Sequence, residues 1–119
     1  MNAAICDEIP ADLTPLRSYQ GQGVVAESSC NTPQSFPAAG EEKFHVGLMD
    51  YGEKHHIVEN LTTRGCRVTE LPHDTSAEDV LALHPDGLML SNGPDDPAEN
   101  VYEIAQLRKL MGKLPVFGI

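Results

Sequence analysis

Basic residues are scarce in this chain: eight Lys and Arg stand against 18 Asp and Glu, for a formal charge of −10 over 119 residues. That balance repels phosphate backbones and anionic lipid surfaces, so it argues against nucleic acid or membrane partners. A soluble role facing proteins or small molecules is what it leaves. No apolar run approaches the roughly 20 residues a membrane helix needs. Met1 to Glu8 has neither a basic start nor an apolar signal core, which makes the cytosol the default expectation. Cysteine is limited to Cys6, Cys30 and Cys66, an odd and widely spaced set without a Cys-x-x-Cys pair. Neither a disulfide framework nor a zinc site is indicated, and reduced structural thiols are the expectation. The adjacent His55 and His56 would point about 100° apart on a helix and lack the i, i+4 spacing that grips a metal. Gly-x-Gly-x-x-Gly and Walker patterns are also missing, and Asp95 and Asp96 put negative charge where a phosphate would need donors.

What is present is enough for one modest core plus a tail, with 40% hydrophobic and 22% charged residues. Residues 1–42 carry breakers at Pro10, Pro15, Gly21, Gly23, Pro33, Pro37 and Gly40. They read as an irregular linker or the end of a preceding domain, with a short helical stretch around Ala11 to Tyr19 and an extended one at Val24-Val25-Ala26. From Lys43 a regular alternation begins. Strands are expected at Phe44 to Met49, Cys66 to Leu71, Gly87 to Leu90 and Pro115 to Gly118. Helices are expected at Lys54 to Arg64, with Ile57, Val58 and Leu61 inward; from a Thr75/Glu78 capping box through Ala77, Val80, Leu81 and His84; and at Ala98 to Met111, with Val101, Ile104, Ala105, Leu107 and Met111 on one stripe. Four strands and three crossovers give βαβαβαβ, hence a parallel α/β sheet, flavodoxin-like or Rossmann-like, with an edge left for further strands.

In such a sheet chemistry gathers beyond the carboxyl ends of the strands. Ser91-Asn92-Gly93-Pro94-Asp95-Asp96-Pro97 is the most distinctive loop there, because Gly93 exposes backbone N–H at the rim to an oxyanion or carboxylate. A tight strand-to-helix turn, rich in Gly, Pro and Asp for conformational reasons, is the simpler reading from pattern alone. Asp50-Tyr51-Gly52-Glu53-Lys54 is a second candidate, although a capping turn with Asp50 as the helix-entry acceptor suffices for it. The third is Gly118-Ile119, which leads toward a strand-to-helix elbow whose nucleophile would be residue 120. A piece of a larger enzyme domain is the resulting expectation.

Asp50-Tyr51-Gly52-Glu53-Lys54, Arg64-Gly65-Cys66-Arg67-Val68-Thr69, Thr75-Ser76-Ala77-Glu78-Asp79, Pro85-Asp86-Gly87, Leu90-Ser91-Asn92-Gly93-Pro94 and Pro115-Val116-Phe117-Gly118-Ile119, in this order, resemble the small, glutamine-hydrolysing subunits of carbamoyl-phosphate synthetases. These are class I, triad-type glutamine amidotransferases. The resemblance covers Lys43 to Ile119; residues 1–42 resemble more loosely the end of the amino-terminal domain and its linker. It implies a glutaminase that supplies ammonia to a large-subunit partner for carbamoyl phosphate, arginine and pyrimidine synthesis. ATP and Mg belong on that partner, and no cofactor or metal is implied here. The family's Cys follows the Phe-Gly-Ile segment and its His and Glu lie further on, so this segment alone is expected to be inactive. Gly93 resembles the glycine whose N–H helps form the oxyanion hole. Two positions depart from the pattern: Asp95 stands where the family has a substrate-contacting Gly, and His56 where it has Asn. A non-catalytic flavodoxin-like binding module is the alternative.

Overall fold

The computed structural model describes residues 3–19, 23–94 and 96–119. In chain order its elements are α1 (Thr14–Arg17), α2 (Val24–Ser28), β1 (Gln34–Phe36), β2 (Phe44–Asp50), α3 (His56–Thr62), β3 (Cys66–Pro72), α4 (Ala77–Ala82), β4 (Gly87–Leu90), a 3-10 turn at Pro97–Glu99, α5 (Val101–Leu110) and β5 (Val116–Gly118). The strands form one sheet in the order β1-β3-β2-β4-β5, antiparallel between β1 and β3 and parallel elsewhere. Taken alone, the parallel strands follow the flavodoxin-like order, in which the second strand lies to one side of the first and the third to the other. The point where that order reverses lies between β2 and β4, and it is there that a crevice opens at the carboxyl ends.

Neighbouring residues on a strand face opposite sides, which splits the core in two. Leu48, Val58, Cys66 and Val68 pack beneath α3, whereas Met49, Leu71, Ala77, Val80, Leu88 and Leu110 pack beneath α4 and α5. Leu48, Val68 and Val80 lose all solvent contact, each burial contributing about 1.5–3 kcal/mol before entropy is counted. Among the described residues no helix is long and apolar enough to cross a membrane.

Several local expectations are corrected. Val24-Val25-Ala26 is helical rather than extended, because one short turn of α2 seats Val25 against the sheet's rim at 5% exposure. A fifth strand, Gln34–Phe36, forms within the stretch expected to be irregular, and it is held by its ladder to Val68–Glu70 rather than by any pattern of its own. The cap of α4 is Ser76, whose Oγ accepts from Asp79 N at 3.1 Å, while Thr75 turns its hydroxyl back to Pro72 O at 2.7 Å. His84 leaves the helix at φ 49° and is exposed, since Pro85 disfavours helical backbone in the residue before it. Along α5 the stripe is displaced: Val101 is 72% and Met111 65% exposed, and Gln106 and Leu110 are buried instead.

Candidate functional site

β2 ends in Asp50 and β4 in Leu90, and the two loops that follow interlock. Ser91 N donates to Met49 O at 3.1 Å, which extends the β2–β4 ladder by one residue. Tyr51 N then donates to Ser91 Oγ at 2.9 Å, the same hydroxyl donates to Asn92 O at 2.7 Å, and Asn92 Nδ2 donates to Gly52 O at 3.0 Å. Two glycines permit this approach. A Cβ at Gly93 would stand 2.7 Å from Tyr51 O, and one at Gly52, whose φ is +112°, would meet Pro94 Cδ at 3.1 Å and Ser28 Cβ at 3.2 Å. Among the described residues no acceptor takes the Gly93 N–H.

Asp50 shapes the first loop from beneath. Its Oδ1 accepts from Gly52 N at 2.9 Å and Glu53 N at 2.7 Å, and its Oδ2 accepts from Cys30 N at 2.6 Å. It is a loop-turn acceptor and not the helix-entry cap expected of it, because α3 begins only beyond His55. Beside it Glu70 is buried at 5% exposure. Burial first, then the Asp50 and Glu53 charges, push the Glu70 carboxyl up to about 7, with a hydrogen bond to Glu53 acting in the same direction and His55 opposing. Glu53 is raised as well, by burial and then Asp50.

Above the interlocked loops lies a cavity of about 380 Å³, within the range of small-molecule sites. Gly93 and Pro94 form one wall, Gly118 and Ile119 another, and Ile104, Leu107 and Glu103 of α5 a third. The Gly93 loop and the Phe-Gly-Ile segment, singled out separately in the sequence, thus meet at one cavity. Asp95 lies outside the described residues. His56 is exposed and does not line the cavity; its Nδ1 sits 2.7 Å from Glu59 Oε2 within α3.

Sequence reasoning missed Glu103 and Val25 as cavity residues, and it included Tyr51 only as part of the second candidate loop. Glu103 Oε1 lies 2.6 Å from His73 Nδ1, and His73 N donates to Ser29 Oγ at 2.9 Å, so the pair ties α5 to the β3–α4 loop and to the end of α2. The Tyr51 hydroxyl is buried and, among the described residues, has no partner. Burial, with the Glu103 charge second, pushes it up to about 12. A signal for Glu103 was present, since Glu103, Gln106, Leu107 and Leu110 recur at the helical spacing of one face.

None of the three thiols fits a nucleophile. Cys6 is exposed in the amino-terminal segment, Cys66 is buried at the opposite end of β3, and Cys30, the one beside the loops, is pushed up to about 11 by burial and then by Glu70 and Asp50. At neutral pH roughly one Cys30 in ten thousand is a thiolate, the reverse of an activated cysteine.

Comparison with known proteins agrees with this geometry. The family model described as glutamine amidotransferase class-I matches residues 47–119. The chain is 47% identical over 89 residues to the carbamoyl phosphate synthase small chain of Listeria monocytogenes, an alignment covering 75% of this chain and 24% of that protein. It is 53% identical over 74 residues to the small chain of Staphylococcus epidermidis, covering 62% and 20%. With that of Staphylococcus haemolyticus it shares 40% over 114 residues, covering 95% and 30%. The chain thus spans 20–30% of the length of these curated relatives. With the family match running through both interlocked loops and the β5 segment that line the cavity, the chain belongs to the class I glutamine amidotransferase family.

Proposed function

We propose that this chain carries the glutamine-cradling part of a carbamoyl-phosphate synthase small chain, with residues 43–119 as the amino-terminal part of its amidotransferase domain and residues 1–42 as the connection from a preceding domain. The observation that carries this reading is the meeting of the Gly93 loop and the Gly118-Ile119 segment at one cavity, at the point where strand order reverses. In the reaction of the family, a cysteine thiolate that follows the Phe-Gly-Ile segment attacks the side-chain amide carbon of glutamine. Negative charge then develops on the amide oxygen, and ammonia leaves for the large subunit, where ATP and Mg act. Gly93 N–H supplies the donor for that oxygen: it is backbone, fixed by the interlock with Tyr51, and needs no reorganisation as the charge develops. Asp95 stands where the family has Gly and adds to this stretch of the sequence a negative charge that disfavours the substrate's own carboxylate.

None of the three cysteines present is placed or activated as the family's nucleophile is, so the 119 residues by themselves bind glutamine without releasing ammonia from it. Calorimetric titration of the full chain tests this. Saturable binding of L-glutamine, weak and about millimolar, with asparagine excluded and no ammonia evolved, is the expected result. No glutamine binding, or equal binding of asparagine, overturns the reading. Ammonia release abolished by Cys30→Ser would overturn the assignment of an incomplete site.

A further inference from the structure

We propose that Glu103 recognises the α-ammonium group of the substrate and so determines that the cavity takes an amino acid rather than a simple carboxamide. This rests on the glutamine reading above and adds to it a residue that faces the other end of the substrate from Gly93. The cavity has apolar walls from Val25, Leu90, Ile104 and Leu107, and Glu103 is the acidic side chain among its described lining residues. Its side chain is 11% exposed and anchored at one oxygen, Oε1, by His73 Nδ1 at 2.6 Å. Among the described residues no hydrogen bond engages Oε2.

An anchored carboxylate on an apolar wall acts differently from one on the surface. The low-polarity surroundings strengthen its attraction for a cation, and the His73 contact removes the rotamer freedom that binding would otherwise have to freeze. It is also held on a helix rather than on a loop, so its position relative to Gly93 is set by the packing of α5 on α4 and the sheet. Gly93 and Glu103 line the same cavity, so a ligand with an amide at one end and an ammonium at the other finds a partner for each there, with Ile104 and Leu107 offering apolar surface to its methylenes. Tyr51, whose buried hydroxyl lies within the field of Glu103, is also among the residues lining this cavity.

The comparison that tests this uses L-glutamine and glutaramate, which keeps the amide, chain and carboxylate but has no amine. Titration of the full chain at fixed salt is expected to show glutamine binding about ten-fold tighter than glutaramate or better, the scale of one charge-assisted hydrogen bond. In Glu103→Gln, which keeps an oxygen for His73 but removes the charge, that preference collapses about five-fold or more through loss of glutamine affinity alone. A merely structural role for Glu103 would weaken both ligands together and leave their ratio unchanged, and that result overturns the proposal. So does equal affinity for the two ligands in the unaltered chain, a readout that does not depend on the variant folding. If the unaltered chain binds neither ligand, the glutamine reading itself fails; if it binds glutamine and the ratio is insensitive to Glu103, only the present inference does.

Discussion

Gly93 and Tyr51 touch so closely that the loop geometry has no room for a methyl group. Gly93→Ala places a carbon 2.7 Å from Tyr51 O, a backbone atom that cannot rotate away. Forcing the loops apart is expected to cost about 1–3 kcal/mol, the usual range for overpacking. Chemical denaturation of the variant measures it, and an unchanged midpoint would mean the loops are not interlocked. Asp95 calls for the opposite experiment. Asp95→Gly removes one negative charge two residues beyond Gly93 in the sequence, so on the proposed glutamine reading L-glutamine should bind several-fold tighter at equal ionic strength, on the order of 1 kcal/mol. Unchanged or weaker binding would overturn the reading of this substitution as unfavourable to the ligand.

Glu70 gives the fold a pH dependence of definite sign. Its folded pKa, about 7, lies above the ordinary 4.5, so between these values the folded state holds more protons than the unfolded one and stability falls as pH rises. Below 4.5 the contribution is fully present, and above 7 it is fully lost. Glu70→Gln removes the titration and keeps the side chain's shape. Its gain over the parent should be absent near pH 4.5, grow through the window and level off above pH 7, as thermal melts across that range would register. A constant difference would place the proton elsewhere in the Asp50, Glu53 and Glu70 group.

Among the elements, α5 teaches most about what a sequence reveals. Four parallel strands and their order along the chain were legible from apolar runs, most plainly β2 and β3, since a strand buried on both faces needs little context. The inward face of α5 was not. Reading apolar residues alone selected Val101, Ala105 and Met111, whereas the helix buries Gln106, whose Oε1 accepts from Ala77 N at 3.1 Å and so satisfies the first turn of α4. A polar residue that serves another helix is invisible to a hydrophobic count. Gln106→Leu should leave that N–H buried and unpaired at a cost of about 1–3 kcal/mol, while Gln106→Glu, which keeps an acceptor, recovers much of it. Equal loss in the two variants would show that Gln106 matters through packing and not through the bond. The cavity was legible to the same degree: Gly93, Gly118-Ile119 and the Tyr51 loop stood out in the sequence, and Glu103 and Val25 did not, since only tertiary packing brings them there. β1 was missed because three residues carry no period.

Taken whole, the molecule has one well-covered side and one open one. α3 covers β2 and β3, but a groove formed by Val46, Leu61, Met89, Val116 and Phe117 is bare, and Phe117 is 67% exposed on an edge strand. Exposed apolar surface beside unpaired strand edges favours self-association. Sedimentation of the purified chain is expected to show mass rising with concentration, and Phe117→Lys should reduce it; a monomer at all concentrations would contradict this. The most direct test of the glutamine site is at Gly93 itself. In a chain labelled with 15N-glycine, titration with L-glutamine should move the Gly93 and Gly118 amide signals together along one saturation curve, while Gly40, remote from the cavity, stays still. A Gly93 amide that does not respond while glutamine binds would contradict its role as the oxyanion donor.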